Sequence, residues 1–145
     1  MTLRKAVVFG VLATGLLAAG SVAAEDVIAA RQANFKVAKE AMGLIKKTLE
    51  DGGDLAVVKA QAVRLTEVAQ KAGPLFPAGS DKGDTKAKAD IWKNLPDFQT
   101  KGQAYGAEAA KLVEVAASGD AGAVKKQFGA VGASCKSCHE SYKAE

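Results

Sequence analysis

Residues 120–142 read DAGAVKKQFGAVGASCKSCHESY, and this stretch decides the fold. Asp120 suits a helix N-cap, because its short carboxylate accepts from backbone N–H groups that a first helical turn leaves unpaired. Beyond it, Val124, Phe128, Val131, Cys135, Cys138 and Tyr142 recur at spacings of three and four, on one seam of a helix. Such a seam has to be buried against other helices, and similar segments lie upstream. The first runs from about Asp26 to Glu50, with Ile28, Arg31, Phe35, Ala38, Met42, Ile45 and Leu49 on its stripe. The second starts at the N-cap candidate Asp54, carries Leu55, Val58, Ala62, Leu65, Ala69 and Ala72, and stops at Gly73-Pro74. The third is less regular: a short helix over 87–93, a break near Pro96, then a stripe of Phe98, Tyr105, Leu112 and Ala116. Breakers at Asp51-Gly52-Gly53, from Gly73 to Gly83, and at Ser118-Gly119 separate the segments. Short turns after the first and third helices make antiparallel neighbours, so the expected fold is all-α, an up-down-up-down four-helix bundle.

A length of 145 residues bounds the chain to one small domain. Its N-terminus reads as a separate element. Arg4 and Lys5 precede an apolar run from Ala6 to Ala19, which closes in Ser21-Val22-Ala23-Ala24, the pattern of a secretory leader cleaved before Glu25. The apolar run is shorter than a membrane span needs, so an uncleaved anchor is the lesser reading. Residues 1–24 are thus expected to be a leader and 25–145 the mature bundle. Removing Arg4 and Lys5 lowers the formal charge from +4 to +2, and nothing asks for nucleic acid or for membrane attachment of the mature form. No conspicuous charged docking patch stands out either. A single His, with no Ser-His-Asp set, leaves little catalytic equipment; the chain is expected not to be an enzyme, and any hard chemistry belongs to a cofactor.

Cys135-Lys136-Ser137-Cys138-His139 names that cofactor by its spacing. A C-x-x-C-H run is the signature of covalent haem attachment: two thiols on one helical face add to the two vinyl groups of a porphyrin, and the adjoining imidazole reaches its iron. A redox dithiol would need a βαβ setting and a helix N-terminus. Structural zinc would lack a fourth Cys or a second His. A disulfide between Cys135 and Cys138 would be the failure state of a chain never loaded with haem.

On these residues the mature chain resembles the cytochromes c-prime, a family of class II c-type cytochromes. The resemblance rests on Glu25-Asp26 opening the first helix, Arg31-Gln32, Leu75-Phe76-Pro77, Ile91-Trp92, and Gly132-Ala133-Ser134 running into the haem motif. It implies a four-helix bundle with one haem c near the C-terminal end of the last helix. It also implies a periplasmic location and a homodimer packed through the first two helices. His139 becomes the axial iron ligand, Cys135 and Cys138 the covalent anchors, and Arg31 and Gln32 partners of the haem propionates. Thr85 and Lys86 would touch the haem edge, and Lys143 would lie near the imidazole. For Arg31 the residue chemistry agrees, since a buried cation needs an anion; the alternative is an arginine snorkelling to solvent.

The sixth iron position separates a gas site from an electron carrier. In an antiparallel bundle His139 faces the opening turns of the first helix, which hold Arg31 and Phe35. Met42 lies seven residues past Phe35, roughly 10 Å further along the axis at 1.5 Å per residue. The resemblance also puts Phe35 over the iron, where it cannot coordinate. The expected protein has a five-coordinate haem that binds NO and CO under Phe35 and cycles between Fe(III) and Fe(II). Its alternative is a low-spin carrier with Met42 as sixth ligand, exchanging single electrons with periplasmic donors and acceptors.

Overall fold

In the computed structural model of the chain, residues 19–145 are described; most of the expected leader lies outside them. The helices are α1 (Ala19–Glu50), α2 (Leu55–Ala72), α3 (Asp90–Lys93), α4 (Leu95–Ala117) and α5 (Ala121–Tyr142), with a 3-10 turn at Gly73–Leu75. Among the described residues there is no β-strand, and none of their helices is long and apolar enough to cross a membrane.

Local chemistry sets the helix ends. The Asp54 carboxylate accepts from Ala56 N at 2.8 Å, and Asp120 accepts from Gly122 N and Ala123 N, so both expected caps form. The preceding turns bend through Gly52 (φ +65°) and Gly119 (φ +81°), a conformation that costs a side-chain-bearing residue about 1 kcal/mol or more. Pro96 falls in the first turn of α4, where its missing N–H costs nothing, and the expected break therefore separates α3 from α4. Two boundaries differ from expectation: α3 begins only at Asp90, because Ala87 and Lys88 pair with the end of the chain, and α1 begins at Ala19, ahead of Asp26, and runs through the proposed cleavage point, as an alanine-rich stretch with high helix propensity permits.

The bundle is an antiparallel ring in chain order. α1 packs along α2, α2 along α4, and α4 along α5, whereas α1 and α5 meet only briefly. The core holds Ala41, Ile45, Leu65, Val68, Leu112, Val124 and Val131. Most expected stripe positions are buried or packed against this core; Phe35, Met42, Phe128 and Cys135 are half-buried at its edge. Two stripes shift by one neighbour: Ala41 in α1 and Val68 in α2 are buried, where the expected Met42 and Ala69 are only partly so. Gln127 is buried although polar: its amide donates to the Glu108 carbonyl at 3.0 Å and to its carboxylate, tying α5 to α4.

Candidate cofactor site

The last turns of α5 carry Cys135, Cys138 and His139. The two cysteines sit one turn apart, half-buried and free, with Cys135 packed on the core. Burial pushes both thiols above their usual pKa, with Lys101 opposing the rise at Cys138. A redox dithiol needs the reverse, so the geometry favours thiols held for attachment. His139 lies at the surface, its imidazole pKa lowered by partial burial and then by the Lys143 charge. These residues stand at the end of the bundle where the ring is closed by a loop.

That loop, residues 76–89, is clasped from α1. Arg31 is 4% exposed, which excludes the snorkelling alternative. Its Nη1 donates to the Leu75 carbonyl and Ser80 Oγ, both at 3.1 Å, and its Nη2 to the Ser80 carbonyl at 3.0 Å and Thr85 Oγ1 at 2.7 Å. The guanidinium also lies 4.8 Å from the centre of the Phe76 ring. The expectation that a buried Arg31 needs an anion is therefore too narrow: four neutral oxygens and a ring face already meet it. Beside it, exposed Gln32 donates to the Asp84 carbonyl at 2.8 Å. A cavity of about 230 Å³ lined by Glu25, Ile28, Ala29, Gln32 and Asp84 adjoins the clasp.

The same loop is pinned to the end of α5. Lys88 N donates to the Tyr142 carbonyl at 3.0 Å and Ala144 N to the Lys86 carbonyl at 2.8 Å, around a bridge between Ala87 and Lys143. The structure thus brings Arg31, Gln32, Thr85 and Lys86 to one end, together with the tail that follows His139. It also links Phe35 to that end. Phe35 packs edge-on against Phe76 (centroids 6.2 Å apart), Phe76 against Phe98 (4.7 Å) and Phe98 against Tyr142 (5.3 Å). Tyr142 lies one turn past His139, and its hydroxyl donates to Asp97. Met42 is further along α1, packed against the core.

Residue patterns did not disclose Ser80, Phe76 or the Tyr142 to Asp97 bond. Ser80 is an ordinary loop serine in sequence, and only the fold buries it under Arg31. Leu75-Phe76-Pro77 was legible as a motif, but not as the hub between Arg31, Trp92 and Phe98. Trp92 Nε1 donates to the Phe76 and Pro77 carbonyls at 3.2 and 2.9 Å, fixing the loop over α3.

The residues present fit a covalently bound haem: paired free thiols, an adjoining imidazole, an apolar ring chain and a cationic clasp share one end of the bundle. Comparison with known proteins agrees. The family model described as cytochrome c′ matches residues 26–143. Cytochrome c′ of Allochromatium vinosum is 40% identical over 139 residues, covering 92% of this chain and 90% of that one. Among solved structures, a cytochrome c′ described as having ligand-controlled dimer dissociation superposes with a TM-score of 0.80 at 40% identity, over 84% of this chain and 97% of that one. A nitric oxide complex of a cytochrome c′ variant from Alcaligenes xylosoxidans gives 0.77 at 29% identity, over the same shares. By the extent of the sequence match and by the bundle that carries its cysteine pair and histidine, the chain belongs to the cytochrome c′ family.

Proposed function

We propose that this chain is a periplasmic haem c protein that binds nitric oxide and carbon monoxide, with His139 the only side chain on its iron. The observation that carries the reading is the ring chain from Phe35 to Tyr142. It links Phe35, a side chain with neither a ligand atom nor a hydrogen-bond donor, through Phe76 and Phe98 to the turn of α5 that follows His139, which supports Phe35 as the distal cover. The nitric oxide complex of the Alcaligenes relative supports the choice of gas.

When bound, the haem supplies an Fe(III)/Fe(II) couple and a coordination position for a diatomic. Cys135 and Cys138 would anchor it through their sulfurs, and His139 would offer its imidazole nitrogen to the iron. Arg31, Gln32, Thr85 and Lys86 would meet its carboxylates, Arg31 contributing the charge. Phe35 would cover the gas site and keep water out. Because Phe35 donates no hydrogen bond, it gives oxygen no help, while NO and CO need none. With His139 committed to iron, Phe35 leaves no side chain there to move a proton, and the protein acts as a binder rather than an enzyme. Met42 stays in the core, so electron carriage is secondary. Residues 1–24 direct export and are removed. Exposed Leu44, Val57 and Val63 on α1 and α2 support a homodimer through those helices.

The test is an optical spectrum of the periplasmically expressed protein, oxidised and dithionite-reduced, with and without CO. A high-spin spectrum that shifts with CO is expected. A sharp low-spin spectrum indifferent to CO would put Met42 on the iron and make the protein an electron carrier. Phe35→Ala should then speed CO and NO association by about tenfold, equivalent to about 1.4 kcal/mol of barrier; unchanged rates would remove Phe35 from the distal face.

A further inference from the structure

We infer that Phe76 is a positioning residue for gas binding: its ring braces Phe35 and sets how readily Phe35 gives way, a role that rests on the reading of Phe35 as the distal cover. Phe35 is half-buried at the edge of the core. Among the described residues Phe76 is the one aromatic ring packed on it, edge-on, with centroids 6.2 Å apart and planes inclined at 62°.

The backbone that carries Phe35 is poorly placed to move. One turn earlier, Arg31 is tied by its guanidinium to Leu75, Ser80 and Thr85, and beside Phe35 the Asn34 amide donates to the Val68 carbonyl at 3.0 Å. This part of α1 is thus held to the loop by one side chain and to α2 by another. A diatomic that displaces Phe35 therefore has to turn its ring about the side-chain bonds. In a helix an aromatic side chain has two accessible χ1 wells, because the third drives the ring into the preceding turn. A neighbour that holds the ring in one well controls the exchange.

Phe76 is a loop residue, yet both its backbone and its ring are held. Its N–H donates to the Gly73 carbonyl at 3.2 Å, its carbonyl accepts from Trp92 Nε1 at 3.2 Å, and the carbonyl of Leu75 just before it accepts from Arg31 at 3.1 Å. Its ring centroid lies 4.7 Å from that of Phe98 and 6.4 Å from that of Trp92, and the Arg31 guanidinium stands 4.8 Å from its centre. With three neighbours besides Phe35, the ring has little room to withdraw when Phe35 presses on it. The bonds that stiffen the loop thus act on gas entry through one ring edge.

The experiment uses the haem-loaded, dithionite-reduced protein and carbon monoxide as the probe, with association followed by flash photolysis. Phe76→Leu keeps an apolar side chain in place but removes the ring edge, and it should speed CO association by about three- to tenfold, the rate equivalent of one aromatic edge contact. In a Phe35→Ala background the same substitution should add nothing, because Phe76 acts only through Phe35. An equal gain in both backgrounds would trace the effect to a loosened loop and overturn the inference. A second readout needs no substitution at Phe76. Saturation with CO should speed amide exchange at Phe76 and Ser80, whose N–H groups are bonded within the loop, and in Phe35→Ala it should not. Exchange indifferent to CO in the unsubstituted chain would show that Phe35 moves without loading Phe76, against the inference. A spectrum indifferent to CO, or unchanged rates in Phe35→Ala, would remove the functional reading and the brace together. Faster association in Phe35→Ala beside an unchanged Phe76→Leu would remove the brace alone.

Discussion

The side of the bundle between α2 and α4 is built unlike the side between α1 and α5. The first is a dry helix seam. Val58, Ala62, Leu65 and Leu112 are fully buried, the Tyr105 hydroxyl donates to the Leu65 carbonyl at 3.2 Å, and Gly106 admits Ala69 so closely that an added Cβ would meet it at 3.4 Å. The second has little helix-to-helix contact. It is spanned at one end by the Arg31 clasp and the loop, while a cleft of about 330 Å³ lined by Lys46, Leu49, Glu50, Lys125 and Phe128 opens at the other. The contrast separates two jobs: one side supplies stability through apolar burial, and the other is held together by polar bonds instead of a helix seam.

Substitutions should register that division. Leu65→Ala empties a fully buried position and is expected to cost about 3–4 kcal/mol of unfolding free energy in urea titration, without moving the visible haem bands. A loss below about 1 kcal/mol would mean that the seam is not where stability resides. Arg31→Leu should cost less overall, about 2–3 kcal/mol, since it strands four oxygen acceptors that water can partly reach. Its signature is local: amide exchange should accelerate across residues 75–88 and not in α2, and Arg31→Lys should restore only part of the protection because one ammonium cannot span four acceptors. Uniform acceleration would show that the two sides are one cooperative unit.

The smallest effect is expected at Tyr142. Its hydrogen bond to Asp97, aided by burial and by the nearby negative charge, pushes its pKa from the ordinary 10.0 up to about 12. The folded chain therefore keeps a proton that the unfolded chain loses between those values, so stability falls as pH rises from about 10 to 12 and is fully present below. Tyr142→Phe should flatten that decline in alkaline urea titrations, leaving the share due to Tyr105, which burial also raises. An unchanged slope would disconnect the Asp97 bond from the tail.

Much of this architecture is written in local patterns. Asp54 and Asp120 declare helix starts by a short-range carboxylate bond, Pro96 declares a first turn, and a three-four spacing declares each stripe, because these depend on residues only a few positions apart. Cys135 to His139 is legible for the same reason: the ligand imposes the spacing within a single helix. The loop is a different kind of object. Nothing around Ser80 foretells that Arg31 will bury it, and the Tyr142 to Asp97 bond joins positions 45 residues apart, so neither exists until the helices are packed. Arg31 marks the boundary between the two cases. Its place on an apolar stripe foretold burial but not its partners, since a stripe records which side faces inward and not what lies there.

The ring of helices in chain order also sets a sequence in time. Two of its seams, α1 with α2 and α4 with α5, close over short turns as in fast-folding helical proteins, and the seam of α2 with α4 closes over the loop and α3 that lie between them. The fourth brings the first helix to the last, and the bridge from Ala87 to Lys143 joins the middle of the chain to its end. Closing such spans costs more chain entropy and yields little apolar contact in return. By this reasoning the dry seams form early, and the polar clasp over the end that carries Cys138 and His139 forms last.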